Sequence, residues 1–203
     1  MLIAKNQDGN LVSALETSLK RKESYSCPGC QGVVLLRHGQ VMCPHFAHKS
    51  LQDCQFFSES ESAQHLSLKA ALYKSLVNHG ERVCIEKVLS EMGQIADLFV
   101  GDSLALEVQC SRLSQQRLRE RTRAYHQAGY EVRWLLGEDL WLGRRLTDLQ
   151  RDFLYFTAKI GFHLWELDWK KEEIRLKYLI YEDIFGKVYY LSLIHISEPT
   201  RPY

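Results

Sequence analysis

Three short runs of β-forming residues, Val83 to Leu89, Gln94 to Val100 and Leu104 to Cys110, are separated by Met92-Gly93 and by Gly101-Asp102-Ser103. Runs of this length broken by such turn residues predict an antiparallel meander. A three-residue loop that sets Val100 opposite Leu104 also sets Asp97 opposite Glu107, because register is counted outward from the turn. Directly opposed residues have Cβ atoms about 4.5 to 5.5 Å apart on one face of the sheet. Two carboxylates so placed suit one hard cation, Mg²⁺ or Mn²⁺, and Gln109 follows on the same face by the period of two. A metal held there neutralises phosphate charge and lowers the pKa of a bound water, which is what phosphodiester hydrolysis needs. The plain alternative is two solvated acids on the wet face of a hairpin. Ile95, Phe99 and Ala105 share that face, however, and carboxylates in a covered sheet need partners or a metal.

Ser58 with Glu61 makes a capping box, and Leu68, Leu72, Tyr73, Leu76 and Val77 recur at helical spacing until Gly80, so one helix is predicted over 58–79. Glu61 and His65 lie one turn apart on one face and both point toward the expected metal; Glu61 also has a reading as the capping acid alone. Glu86, on the strand before the hairpin, either faces the site or is solvated. Residues 112 to 128 are polar, Arg-rich and helical, Gly129 stops them, and Tyr130 to Leu136 reads as a buried strand. The expected order is helix, three strands, helix, strand.

Upstream, Asp8-Gly9 marks a hairpin between Leu2-Ile3-Ala4 and Leu11-Val12. Cys27-Pro-Gly-Cys30 and His45-Phe-Ala-His48 then form two equal-spaced pairs around a second hairpin, an arrangement that suits a tetrahedral Zn²⁺. Cys54 rivals His45 as a ligand, since three thiolates and one imidazole bind at least as well. Buried thiols and loop histidines are the bland alternative. A module of this size with few large apolar residues gains folding free energy from a metal, so the zinc is read as structural.

The chain carries 26 Lys+Arg against 25 Asp+Glu, so a basic footprint for nucleic acid has to be local. Arg112, Arg117, Arg119, Arg121 and Arg123, with Glu120 as the lone acid among them, supply one. A charge run is most simply a solvated helix face, but Arg117 and Arg121 share a face one element from the carboxylates, which makes them the expected phosphate contacts. With no signal-like amino terminus and no run of about 18 apolar residues, the chain reads as soluble and cytoplasmic, without a membrane segment. In a reducing compartment its cysteines are more readily metal ligands or core residues than disulfides. Leu140 to Leu191 is expected to be helical around Leu146 to Ile160, and no chemistry is assigned there. Residues 192–203 resemble a peptide translated from sequencing-adapter DNA and are expected to fall outside the fold, the natural chain being cut near Leu191; a flexible natural tail is the alternative.

Asp97, a hairpin and Glu107-Val108-Gln109 after an amphipathic helix resemble the PD-(D/E)XK nuclease superfamily, with Gln109 where lysine is usual. Taken in order, Cys27-Pro-Gly-Cys30, His45-Phe-Ala-His48, Glu61-x-x-x-His65, Ile95-Ala-Asp97 and Glu107-Val-Gln-Cys-Ser111 resemble the competence protein CoiA family. That resemblance implies an α+β, restriction-endonuclease-like core at 57–138, a zinc-ribbon-like module at 1–56 and an incomplete helical region at 139–191. It implies a bacterial factor that acts on incoming, single-stranded DNA in natural transformation and promotes recombination, in company with recombination proteins. Asp97, Glu107, Gln109, Glu61, His65 and Glu86 become the expected catalytic set. A neutral Gln109 supplies no positive charge, for which Lys69 or Lys87 would substitute. A nuclease fold kept as a DNA-binding or recombination adaptor is the alternative function. Arg121-x-x-x-Tyr125 resembles the Gln-x-x-x-Tyr of RecB-like nucleases and adds Tyr125 to the DNA contacts; packing against the sheet is its other reading.

Overall fold

Asn6 closes the first hairpin: its side-chain oxygen accepts from the N–H groups of Asp8 and Asn10, and Gly9 supplies the left-handed residue at φ +80°. The strands on either side are β1 (Ile3–Lys5) and β2 (Leu11–Ser13), paired Ala4 to Val12 as the turn requires. This structure, a computed structural model, describes residues 1–16, 19, 23–39, 42–50, 54 and 61–196. They form two compact units, Met1–Leu106 and Glu107–Tyr203.

In the first unit, β3 (Tyr25–Ser26), β4 (Val33–Arg37) and β5 (His45–His48) extend the hairpin into a sheet ordered β2-β1-β3-β4-β5. Alternation along β4 turns Val34 and Leu36 inward, where they join Ala4, Tyr25 and Phe46 in one small core. Helix α1 (Ala63–Asn78) starts later than the predicted 58–79: Ser62 is the cap, its hydroxyl accepting from the His65 N–H, and the predicted cap Ser58 lies outside the described residues. Leu66 and Ala70 of α1 pack with Leu2, Ile3 and Ile85 in a second core.

The meander is as predicted at its turns and strands: β6 (Val83–Leu89), β7 (Gln94–Val100) and β8 (Leu104–Gln109). Val100 pairs with Leu104 and Leu98 with Leu106, the register counted from the Gly101 turn. Between β6 and β7, Ile85 pairs with Leu98 and Lys87 with Ala96, and Glu86 between them is left-handed at φ 51°.

In the second unit, Ser114 caps α2 (Gln115–Gln127), Gly129 ends it, and β9 (Glu131–Leu136) follows. The predicted helical region after Leu140 is mostly sheet. A five-residue α3 (Asp148–Asp152) leads to β10 (Tyr155–Thr157), β11 (Gly161–Asp168), β12 (Glu173–Glu182) and β13 (Val188–Ile196). The order is β13-β12-β11-β9, with β11 parallel to β9 and β10 on β11. The pattern misleads because β11 buries polar residues on a covered strand. His163 Nδ1 lies 2.9 Å from the Gly161 carbonyl, Glu166 accepts from the Leu142 N–H, and Asp168 pairs with Arg175. Ser192 to Ile196, expected outside the fold, extend β13 along β12; the remaining residues of that segment lie outside the described ones. Among the described residues, no helix is long and apolar enough to cross a membrane.

Gly137 sits where a Cβ would stand 3.0 Å from the Cys110 sulfur and 3.1 Å from its Cα, while Gly143 faces open space. Gly137→Ala should therefore cost roughly 1–3 kcal/mol in a urea titration and Gly143→Ala should stay within about 0.5 kcal/mol of the parent.

Candidate metal and acid site

Capping by Ser62 turns one face of α1 toward β6 and β7, and residues four apart on that face stack along it. His65 and Lys69 are such a pair. Glu61, just before the cap, folds back onto both: its Oε1 lies 3.2 Å from His65 Nδ1 and accepts from the Lys69 ammonium, while its Oε2 lies 2.6 Å from the Met1 amine. The other imidazole nitrogen of His65 is 3.0 Å from Asp97 Oδ2. Lys69, only 1% exposed, reaches Glu86 at 2.6 Å and Asp97 at 3.4 Å. Glu86 is buried too, and its carboxylate accepts from the Leu2 N–H at 2.7 Å and the Ile3 N–H at 3.0 Å. The left-handed backbone at Glu86 is the conformation in which this carboxylate meets β1 and α1 together, a strain of about 1–3 kcal/mol that the buried bonds offset.

The ionisation of the cluster follows from those contacts. Burial raises the Glu61 carboxyl, but the Lys69 ammonium, with His65 and the amino terminus, holds it well below the usual carboxylate range. Asp97 behaves alike: burial raises it, and His65 and Lys69 bring it far below its ordinary value. Burial would discharge His65, yet Asp97 and Glu61 on either side push it up to about 9. Lys69 is likewise driven well above its usual value, burial opposing and Glu86, Asp97 and Glu61 prevailing. Three carboxylates thus face Lys69, a protonated His65 and the Met1 amine.

Glu61, His65 and Asp97 each offer one ligand atom, all within 4.8 Å of one another, so this trio could hold a metal ion. Glu86 serves Lys69 and β1. Lys87, the other candidate for a replacement lysine, has its ammonium 3.9 Å from the centre of the Phe99 ring. Lys69 stood outside the expected catalytic set; its spacing from His65 and Glu61 on one helix face was the available signal.

In the second unit Glu107 is buried and engaged: Tyr125 donates its hydroxyl to Oε1, and Arg121 Nη2 lies 2.9 Å from the same oxygen. Arg121 also lies 5.1 Å over the Trp134 ring. Gln109 donates to the Ser111 carbonyl at 2.8 Å. Tyr125 is fully buried, whereas Arg117 is exposed. Arg119 is held by a two-pronged pair with Asp152 at 2.9 and 3.0 Å.

A second metal-capable group lies in the first unit: one sulfur or nitrogen each from Cys27, Cys30, His48 and Cys54, again within 4.8 Å. The left-handed Gln31 tightens the knuckle, Gly32 donates to the Cys30 sulfur at 3.4 Å, and any Cβ on Gly32 would stand 3.2 Å from that sulfur. His48 Nε2 is 3.5 Å from Cys30 Sγ. Cys54, the rival ligand, takes the position expected of His45, whose Nδ1 instead lies 3.0 Å from the Cys43 carbonyl. Burial pushes the Cys27 thiol up to about 12, and burial lowers His48, keeping the imidazole neutral. Three sulfurs and one neutral imidazole form a donor set suited to a tetrahedral, thiophilic cation.

A family model described as "Competence protein CoiA, nuclease-like domain" matches residues 61–198, and one described as "Competence protein CoiA, N-terminal domain" matches residues 10–57. A curated relative, the competence protein CoiA of Bacillus subtilis (strain 168), is 29% identical over 131 residues, which cover 63% of this chain and 35% of that relative. The match thus spans about a third of the relative's length, 35%. No solved structure matches.

Because the pKa of His65 is raised in the fold from 6.5 to about 9, its charge stabilises the metal-free protein fully below pH 6.5, and that contribution fades as pH rises through about 9. Parent and His65→Gln should differ by on the order of 3 kcal/mol near pH 6 and converge by pH 10 when denaturation midpoints are followed across that range.

Proposed function

From the premise that this chain belongs to the competence protein CoiA family, we propose that it is a metal-dependent, nuclease-like DNA-processing factor that promotes recombination of incoming DNA in natural transformation. The observation that carries the proposal is the half-buried cluster of Glu61, His65 and Asp97 around the buried Lys69. The PD-(D/E)XK reading of residues 57–138 and the zinc-ribbon-like reading of 1–56 are parts of the same proposal.

Glu61, His65 and Asp97 would hold Mg²⁺ or Mn²⁺. Glu107 and Gln109 stay candidates on the motif resemblance alone. Such a cation offsets phosphate charge and supplies hydroxide from a bound water near neutral pH. Asp97 is already ionised, so it can ligate without losing a proton, while His65 must first give one up. Lys69 takes over the fixed positive charge that Gln109 lacks, and Glu86 holds the ammonium in place from behind. The exposed Arg117, with Arg112 and Arg123, gives α2 and its approach a basic surface for phosphates.

In a cleavage assay on labelled oligonucleotides with Mg²⁺ or Mn²⁺, Asp97→Asn and His65→Gln should each lower the rate about a hundredfold or more with the fold intact by circular dichroism. Parent-like cleavage by both variants overturns the assignment. A second reading, a DNA-binding adaptor without turnover, is favoured by the cations that already balance the acids of the cluster. DNA binding with no metal-dependent product from the parent chain decides for it.

We also assign the group of Cys27, Cys30, His48 and Cys54 to a structural Zn²⁺. Metal analysis after gel filtration should find zinc retained by His45→Ala and lost from Cys54→Ser, with the thermal midpoint falling only in the latter.

A further inference from the structure

The hairpin joining β12 to β13 in the second unit takes no part in either cluster. Its register shifts between Tyr178 and Tyr181, and the left-handed Leu179, at φ 51°, marks the irregularity with its N–H donating to the Ile160 carbonyl. The shift brings Tyr181 opposite Tyr189, where the rings stack at 5.2 Å and 14° while staying 59% and 37% exposed.

Beyond the tyrosines the turn is well built. Asp183 Oδ1 accepts from the N–H groups of Phe185 and Lys187 at 2.9 Å, Gly186 donates to the Asp183 carbonyl, and Asp183 donates to that of Lys187. Yet Ile184 and Phe185 at its tip are 93% and 77% exposed. Chain reversal needs neither side chain, and a fixed turn that holds two large apolar groups in water is a presenting device.

The charges beside it are mainly cationic. Lys187 lies 4.8 Å over the Tyr189 ring, and the Arg144 carbonyl accepts from the Val188 N–H, which ties the exposed Arg144 and Arg145 to the start of β13. The nearby acids are engaged locally: Glu182 pairs with Arg151, and Asp183 closes the turn.

We propose that this hairpin is a single-strand binding element, with Phe185, Tyr181 and Tyr189 stacking on unpaired bases and Arg144, Arg145 and Lys187 meeting the phosphates. Aromatic platforms interleaved with cations match an unpaired strand, which offers open base faces and negative charge together; a duplex keeps its base faces stacked away. The inference deepens the DNA-processing reading by naming where on the chain an unpaired strand would be held, and it rests on that reading for its biological sense.

Fluorescence anisotropy of the full chain, with dye-labelled oligothymidylate and a duplex of equal length and with no Mg²⁺ or Mn²⁺ added, tests it independently of cleavage. The parent should prefer the single strand. The double substitution Ile184→Ser with Phe185→Ser, and separately Tyr189→Ala, should weaken oligothymidylate binding about tenfold or more with unchanged thermal midpoints. Arg144→Ala with Arg145→Ala should weaken it and flatten its salt dependence. Parent-like binding by the tip and tyrosine variants overturns the hairpin assignment while leaving the cleavage result to judge the nuclease reading. Equal losses on duplex and single strand, or hairpin-dependent self-association without DNA affinity, overturn it as well.

Discussion

A buried ammonium governs the first unit. Lys69 on α1 is bonded to Glu61, to Glu86 on β6 and to Asp97 on β7, and Glu86 in turn binds the backbone of β1. One side chain thus ties together a helix, two strands of the meander and the first strand of the amino-terminal sheet. Such a cluster is costly to half-build: removing one partner of a buried pair typically costs roughly 3–5 kcal/mol, because the remaining charge stays desolvated. The left-handed Glu86 persists for the same reason, since its neighbours over-determine where its carboxylate must be.

The same arrangement joins the cysteine group to the acids. Leu2 and Ile3 donate to Glu86, Lys5 pairs with Ser26, and the next residue is Cys27, the first member of the metal-capable sulfur group. Met1 packs in the core that holds Cys27 and Cys54 while its amine meets Glu61. A metal held by that group would therefore also brace the amino-terminal strand, where the Leu2 and Ile3 N–H groups hold Glu86 behind Lys69. The amino-terminal module works here as a wall of the acid site.

What was legible in the sequence was whatever depends on local chemistry. The Gly101 turn sets the register of β7 and β8, and Gly80 and Gly129 end their helices as left-handed stops. The Arg-rich run forms α2 within a residue or three of its predicted ends. What stayed hidden depends on burial. A lysine inside a core looks in sequence like any helical surface lysine, so Lys69 drew attention only through the missing charge at Gln109. Cys54 and His45 are both ordinary zinc donors by residue type, and only their positions in the fold separate them. Arg121 and Tyr125 carry the composition of a DNA contact, yet both are spent on Glu107. Beyond Leu140 the period-two signal is lost in β11, where His163, Glu166 and Asp168 are buried with partners beside the equally buried Leu164 and Leu167.

The charge balance of the cluster bears on how chemistry would be gated there. Glu61 and Asp97 both stand against a protonated His65, so the acids and the imidazole hold one another. Under the proposal that Glu61, His65 and Asp97 hold a divalent cation, the ion would meet two strongly ionised carboxylates but would have to displace a proton from a group with a pKa of about 9, so its binding should weaken as pH falls. Lys69 does not lose its proton in the same range, because Glu86, Asp97 and Glu61 overcome its burial and raise its ammonium well above the usual lysine value. The two cations thus differ in kind: His65 carries a charge that a rise in pH removes, and Lys69 carries one that stays.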